Sequence, residues 1–374
     1  MQEREAMAVL ASVQGLSYGR REVALRAAGC AEALLADPGA YAKPLGEAGM
    51  AAIVRMIRSG GVERTLDQLA LHRVSLAVRG EAGYPGRLMH IPNPPHVLFI
   101  RGGASLEDAY PFAVVGTRRA TGYGLSMTRE IAKELAQAGV CVVSGLAMGV
   151  DAAAHQGALD GHGRTIAVLG GGLDRLSPLR NRPLMEDIID SGGSVISEYP
   201  LGMSAAPYNF LHRNRIIAGM SLGVLVTEGE KRSGALCTAN NALAFGREVF
   251  ALPGDVRNAN SQLPHMLIQD GAQLITCAQD ILNMIRIEHP HQAEANVPPG
   301  EAGTKSKAPQ RRSMPSGLDA QEQTVWRALE EGECDFDALC SRTGMEPDDL
   351  GSLLVMMELD GHVEALPGLA YRLA

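Results

Sequence analysis

Between residues 112 and 251, short apolar runs alternate with longer stretches of helical periodicity. The runs at 112–116, 140–143, 165–169, 194–197, 222–227 and 248–251 are apolar at nearly every position. Strands buried on both faces read this way. With helical stretches such as 122–138 and 235–245 between them, the pattern predicts an α/β fold with an extended Rossmann-like, mostly parallel sheet. Upstream, residues 1–77 carry helical periodicity interrupted at Gly29 and at Pro38-Gly39, which predicts an N-terminal all-helical domain. Its "GLSYG" turn (15–19) reads either as a helix-hairpin-helix meeting a phosphate backbone or as part of a plain helical adaptor. The prolines within 84–102 block helix and predict an extended approach to the sheet. Residues 289–317 are rich in Pro, Gly, Ser and basic residues, as a flexible linker is. From 318 to 374 the pattern opens on an Asp319-x-x-Glu322 capping box, continues through two further short helices and closes on two extended runs around Pro367-Gly368. That order describes a C-terminal winged-helix domain, and the α/β domain between helical domain and linker spans 78–288.

Charge sharpens this division. The chain of 374 residues carries a net charge of -8, but residues 318–374 alone hold 13 acidic and 3 basic residues. Residues 1–317 are therefore slightly basic. Of the 18 basic residues in 78–288, all but Lys133 and Lys231 are arginines, whose planar fork suits phosphate and stacks on bases. The six cysteines are dispersed without a C-x-x-C pair, which speaks against a disulfide framework and a zinc site and points to a reducing cytoplasm. No apolar run is long enough for a signal peptide or a membrane span, so a soluble cytoplasmic protein without a membrane partner is expected.

In open parallel sheets, ligands sit beyond the carboxyl ends of the strands. Here those ends read Gly116-Thr117-Arg118-Arg119, Ser144-Gly145, Gly170-Gly171-Gly172, Ser197-Glu198, Thr227-Glu228 followed by Ser233-Gly234, and Pro253-Gly254. Such an edge is small, polar and rich in backbone donors, as an anionic ligand requires. The Gly116–Arg119 loop has neither the lysine of a Walker A loop nor the spacing G-x-G-x-x-G. A second stretch, "YNFLHRNRIIAG", sets Phe210 before Arg213-Asn214-Arg215. Two guanidinium groups clamping successive phosphates beside a stacking ring is the combination a single strand calls for. Asp151 and His155 share a helical face, and an intrahelical Asp–His hydrogen bond is expected in preference to catalysis or metal binding, since no third ligand is evident. Glu198 and Glu228 are expected to position the arginines. No catalytic residue, metal or cofactor is expected.

The blocks "VVGTRRATGYG", "VVSGLAMGVDAAAH", "TIAVLGGGLD", "VISEYPLG", "FLHRNRIIAG", "SGALCTANNAL" and "VFALPG", over about residues 84–285, resemble the DNA-processing protein A (DprA/Smf) family. The resemblance implies a non-enzymatic single-stranded DNA-binding recombination mediator. Such a protein protects incoming DNA in natural transformation, forms a homodimer and helps load the RecA recombinase, with single-strand-binding protein as a further candidate partner. It assigns DNA binding to Gly116–Arg119, Ser144, Gly145, Phe210 and Arg213–Arg215, to which the strand-end reading adds Ser233 and Gly234. It places the dimer surface at "QLPHMLIQDGAQLI", with Leu263, His265, Ile268, Leu274 and Ile275 as its expected residues; Leu263 and His265 depart there from the family's Gly and Asn. The competing class is a Rossmann-like nucleotide-hydrolysing enzyme, whose P-G-G-x-G-T loop is met only by "LPGD" at 252–255. A transcription regulator would need a basic winged helix, and this one is acidic.

Overall fold

The computed structural model describes residues 1–103, 106, 110–288, 315, 318–330, 332–345, 350, 353, 354, 357, 362–366 and 370–373. Two compact units are present, Met1–His289 and Pro290–Ala374. Apart from Pro315, the expected linker lies outside the described residues.

The first unit opens with five helices, α1 (Glu3–Ala11), α2 (Tyr18–Ala28), α3 (Ala31–Ala36), α4 (Ala42–Arg58) and α5 (Gly61–Leu71). Strands β1 (Ser75–Val78) and β2 (Val97–Gly102) come next as an antiparallel pair. Then strands and helices alternate: β3 (Pro111–Val115), α6 (Gly122–Gln137), β4 (Cys141–Ser144), α7 (Val150–Asp160), β5 (Thr165–Val168), α8 (Arg182–Asp190) and β6 (Ser194–Ser197). The second half runs α9 (Pro207–Met220), β7 (Gly223–Val226), α10 (Gly234–Ala244), β8 (Glu248–Ala251), α11 (Gln262–Gln269), β9 (Gln273–Leu274) and α12 (Ala278–Glu288). The six strands expected from the apolar runs are all present within a residue or two of their expected ends.

One nine-stranded sheet has the order β1-β2-β6-β5-β4-β3-β7-β8-β9, parallel from β6 to β9. Side chains alternate between its faces: along β3, Phe112 and Val114 pack with α6 and α12, while Ala113 and Val115 pack with α9 and α10. The N-terminal helices are not a domain apart. Leu10, Leu34, Leu45 and Ile53 share one core with Phe99, Ala167 and Val195 of the sheet, and the boundary drawn after residue 77 cuts through β1. The "GLSYG" turn faces this core too: the Tyr18 hydroxyl donates to the Pro94 carbonyl at 3.0 Å, and Glu22 binds Arg79 (2.7 Å) and buried His96 (2.8 Å).

The second unit is a small winged helix. The Asp319/Glu322 capping box opens α13 (Ala320–Leu329), followed by β10 (Cys334–Asp335), α14 (Phe336–Thr343), β11 (Val363–Leu366) and β12 (Ala370–Leu373). Its strands form a sheet of order β10-β12-β11 around Val325, Leu339, Leu354 and Val363. The expected Pro367-Gly368 turn lies outside the described residues.

Candidate nucleic-acid interface

In the strand order, successive connections turn opposite ways on either side of the β3/β7 pair, which opens a crevice at their carboxyl ends. The loop leaving β3 is fixed there by its backbone. Thr117 N–H donates to the Glu228 carbonyl (2.7 Å), and the Thr117 carbonyl accepts from Val150 N–H (3.1 Å). Gly116 is required by space, since a Cβ would come within 2.6 Å of Val150 Cγ2 and 2.7 Å of the Glu228 carbonyl. The Glu228 carboxylate, 1% exposed, accepts from Thr121 N–H (2.8 Å) and the Thr121 hydroxyl (2.6 Å). Glu228 thus staples the loop and does not position arginines. It is one of the two carboxylates expected to do so, and a carboxylate this buried takes the nearest donors, which are those of the loop. With the backbone held, the Arg118 and Arg119 side chains are exposed.

A groove of about 560 Å³ runs from this loop to the start of α10. Gly116, Thr117, Arg118, Arg119, Phe210, Arg213, Asn214, Ser233 and Gly234 all line it, so nine of the twelve expected binding residues converge. Ser144, Gly145 and Arg215 are not part of its wall. Ser144 is buried and its hydroxyl donates to the Val114 carbonyl at 2.7 Å. Gly145 makes room for the Arg213 guanidinium, with which a Cβ there would collide.

The expected clamp of two arginines is not formed. From Arg213 to Met220 every residue of α9 is buried, because the helix drives its carboxyl end into the core. Arg213, 3% exposed, donates to the Val168 carbonyl beneath the groove floor, and burial brings its pKa down to about 10 despite nearby Asp151. Arg215 pairs with Glu198, the other carboxylate expected to position arginines, and donates through Nε to His212 Nε2 at 3.3 Å. Asn214 ties α9 to α10 by donating to the Gly234 carbonyl at 3.1 Å.

Nor do Asp151 and His155 pair. His155 Nδ1 lies 2.7 Å from the Thr165 hydroxyl, and its pKa falls to about 3 through burial and the Arg213 charge, so the ring is neutral at physiological pH. Burial raises the Asp151 pKa, an effect opposed by Arg213 and by hydrogen bonds including that from Ala147 N–H. Among the described residues no group of three His, Cys, Asp or Glu side chains could hold a metal.

The cations that do face solvent are Arg118, Arg119, Lys231 and Arg232, none of which pairs with a carboxylate among the described residues, although Glu230 shares the groove wall. Elsewhere, exposed Arg129, Arg175 and Arg257 are ion-paired, whereas Arg55, Arg58 and Arg73 are exposed without a carboxylate partner among the described residues. The Arg118 guanidinium lies 4.9 Å from the centroid of the Phe210 ring. Residues beyond the sequence expectation adjoin this edge. Asn181 Nδ2 donates to the Leu146 and Ala147 carbonyls (3.0 and 3.2 Å), fastening the loop after β5 to the groove, and Arg180 and Arg182 on either side are exposed. The triplet Arg180-Asn181-Arg182 repeats the triplet at 213–215, and that repetition was the available signal.

The expected dimer surface is only partly a surface. Leu263 and Ile275 are 0% and 1% exposed within the chain itself, so neither is available to a partner. Both belong to segments whose apolar faces complete the core around β8. Ile268 is half-buried, and half-buried His265 binds the Gly254 carbonyl at 3.1 Å, whereas Leu274 is 50% exposed on edge strand β9.

The architecture defines a doubly wound α/β protein with a cationic, ring-bearing groove at its switch point. The family model described as DNA recombination-mediator protein A matches residues 75–286, and the one described as DprA winged helix domain matches residues 308–368. Protein Smf of Escherichia coli is 37% identical over 285 residues, which cover 76% of this chain and 74% of that protein. The X-ray structure of DNA processing protein A from Streptococcus pneumoniae matches with a TM-score of 0.65 and 32% identity, over 76% of this chain and 98% of that one. A structure of the Helicobacter pylori protein, described for its unique single-stranded DNA binding mode, matches with a TM-score of 0.52 and 29% identity, over 57% of this chain and 97% of that one. This chain belongs to the DNA-processing protein A (DprA/Smf) family.

Proposed function

We infer that the groove binds single-stranded DNA, with Arg118, Arg119 and Arg232 on phosphates and Phe210 against a base. The observation that carries this reading is the set of exposed cations without carboxylate partners around a ring at the switch point. Free phosphates satisfy such cations, and a ring serves any base sequence. Arg180 and Arg182 extend the basic edge. The protein acts as a recombination mediator in natural transformation, covering incoming strands and passing them to the RecA recombinase, with single-strand-binding protein as a further partner. It works as a homodimer through the β9 edge and the preceding helix α11, where Leu274, His265 and Ile268 remain to be shared.

The enzymatic alternative draws no support from Glu228, Glu198 or His155. Glu228 is occupied by Thr121, Glu198 by Arg215, and His155 is sealed in the interior. Gel-shift titrations with single-stranded DNA, duplex DNA and mononucleotides test the reading. Retention of single strands well below the concentrations needed for duplex is the expected result. Tight mononucleotide binding with turnover would replace it.

A further inference from the structure

Buried Arg215 leads back to the surface. Glu198, at the end of β6, takes Arg215 and also lies 3.1 Å from His212 Nδ1; the Tyr199 hydroxyl is 3.3 Å from the same nitrogen. His212 Nε2 accepts from Arg215 Nε at 3.3 Å, and with Glu198 and the Tyr199 hydroxyl beside Nδ1 the imidazole is braced from both edges. One turn earlier on α9, the Tyr208 ring stacks on this imidazole, with centroids 5.7 Å apart and planes at 17°. Tyr208 is nevertheless 70% exposed. One face of the tyrosine is therefore backed by a braced ring and the other is open to solvent. An ion pair taken out of water is costly to hold, and a tyrosine in water needs no such brace.

We propose that the open face of Tyr208 is a second base-stacking platform, taking a nucleotide of the same strand as it leaves the groove across the first turn of α9. This rests on the single-strand reading above. Pro207, Phe210 and Leu211 line the groove, whereas Tyr208 and His212 sit on the side towards Tyr199, so the two rings flank one helical turn. Two residues of α-helix rise about 3 Å, so the platforms lie at neighbouring heights on the same sheet edge. The occupant is an unpaired nucleobase of any identity, because every base offers a π face and a duplex offers none along its length. His212 is a positioning residue in this arrangement.

The test is fluorescence anisotropy of labelled oligo-dT of stepwise length on the full chain, comparing wild type with Tyr208→Ala and Tyr208→Phe. Tyr208→Ala should match wild type on oligonucleotides short enough to fill the groove alone. On longer ones it should bind about 5- to 150-fold more weakly, the equivalent of one stacked base, with an unchanged salt slope because no phosphate contact is lost. Tyr208→Phe should behave as wild type. Equal affinity of Tyr208→Ala and wild type at every length overturns the platform, and so does a loss that is the same at every length. Wild-type protein that binds no oligo-dT would instead overturn the groove reading on which the platform depends.

Discussion

Removing the Arg118 guanidinium should weaken single-strand binding overall while making each remaining base count for more. Phe210 has little free surface: a Cβ at Gly170 would lie 3.1 Å from its Cδ1, and Arg118 lies over the ring at 4.9 Å. The slot bounded by Arg118, Ala147, Met148, Ser177, Pro178 and Phe210 holds about 80 Å³. A strand in the groove therefore stacks on Phe210 only when the guanidinium leaves the ring. An exposed cation–π contact is worth about 0.5–1 kcal/mol and a stacked base about 1–3 kcal/mol, so exchange is favourable, and more so when the departing guanidinium meets a phosphate. Arg118→Ala removes the phosphate contact, lowering the log K against log salt slope by about 0.7. It also removes the contact that stacking must displace. The affinity ratio between an oligo-dT and its abasic counterpart should then rise about two- to fivefold in Arg118→Ala, and Phe210→Leu should abolish that rise. Arg118 is exposed and ties down nothing, so the variant folds. A ratio that is unchanged or smaller in Arg118→Ala would refute the exchange, placing the base on the guanidinium itself.

Three further outcomes are expected. Glu228→Gln should lower stability by about 1–3 kcal/mol in urea titrations, because a buried acceptor of two Thr121 donors loses its charge, and an unchanged midpoint would remove its role as loop staple. Burial lowers the pKa of His96 to about 4 and of His155 to about 3, so the unfolded chain binds their protons first. Stability should therefore fall as pH drops from about 6.5 towards 4, by up to roughly 3 kcal/mol per histidine, and a flat urea midpoint across that window would contradict the assignment. Leu274→Arg, half-exposed on β9, should leave the fold intact and yield a monomer by light scattering; a dimer of normal stability would place the interface elsewhere.

Much of the sheet was legible because strands buried on both faces leave an apolar run that no surface element imitates. Edge strands leave none: β9 is two exposed residues, Gln273 and Leu274, and β1 holds an exposed Ser75 beside buried Ala77 and Val78. The N-terminal helices were visible as helices, but their shared core was not. Whether Leu34 meets another helix or Phe99 of the sheet is a matter of tertiary contact that periodicity does not record. Leu263 and Ile275 fail for the same reason, an apolar segment after the last long strand being equally suited to a partner or to its own core.

The two Arg-Asn-Arg triplets show where side-chain chemistry alone misleads. Both offer two guanidinium groups around an amide, and in both the amide is a fastener, Asn181 to the Leu146 and Ala147 carbonyls and Asn214 to Gly234. Their arginines differ because the helical stretches that follow them differ. After Arg215 come Ile216, Ile217, Ala218, Gly219 and Met220, apolar all round, which is the mark of a buried helix. After Arg182 comes "PLMEDIID", with acidic residues between the apolar ones, the mark of a surface helix. Arginines that open the buried half of α9 go inside with it and must find partners there, Val168 for one and Glu198 for the other. Arginines heading the surface helix stay in water with their donors unspent. The buried pair thus gives rigidity to the Phe210 end of α9, and phosphate contact passes to cations that the interior does not hold.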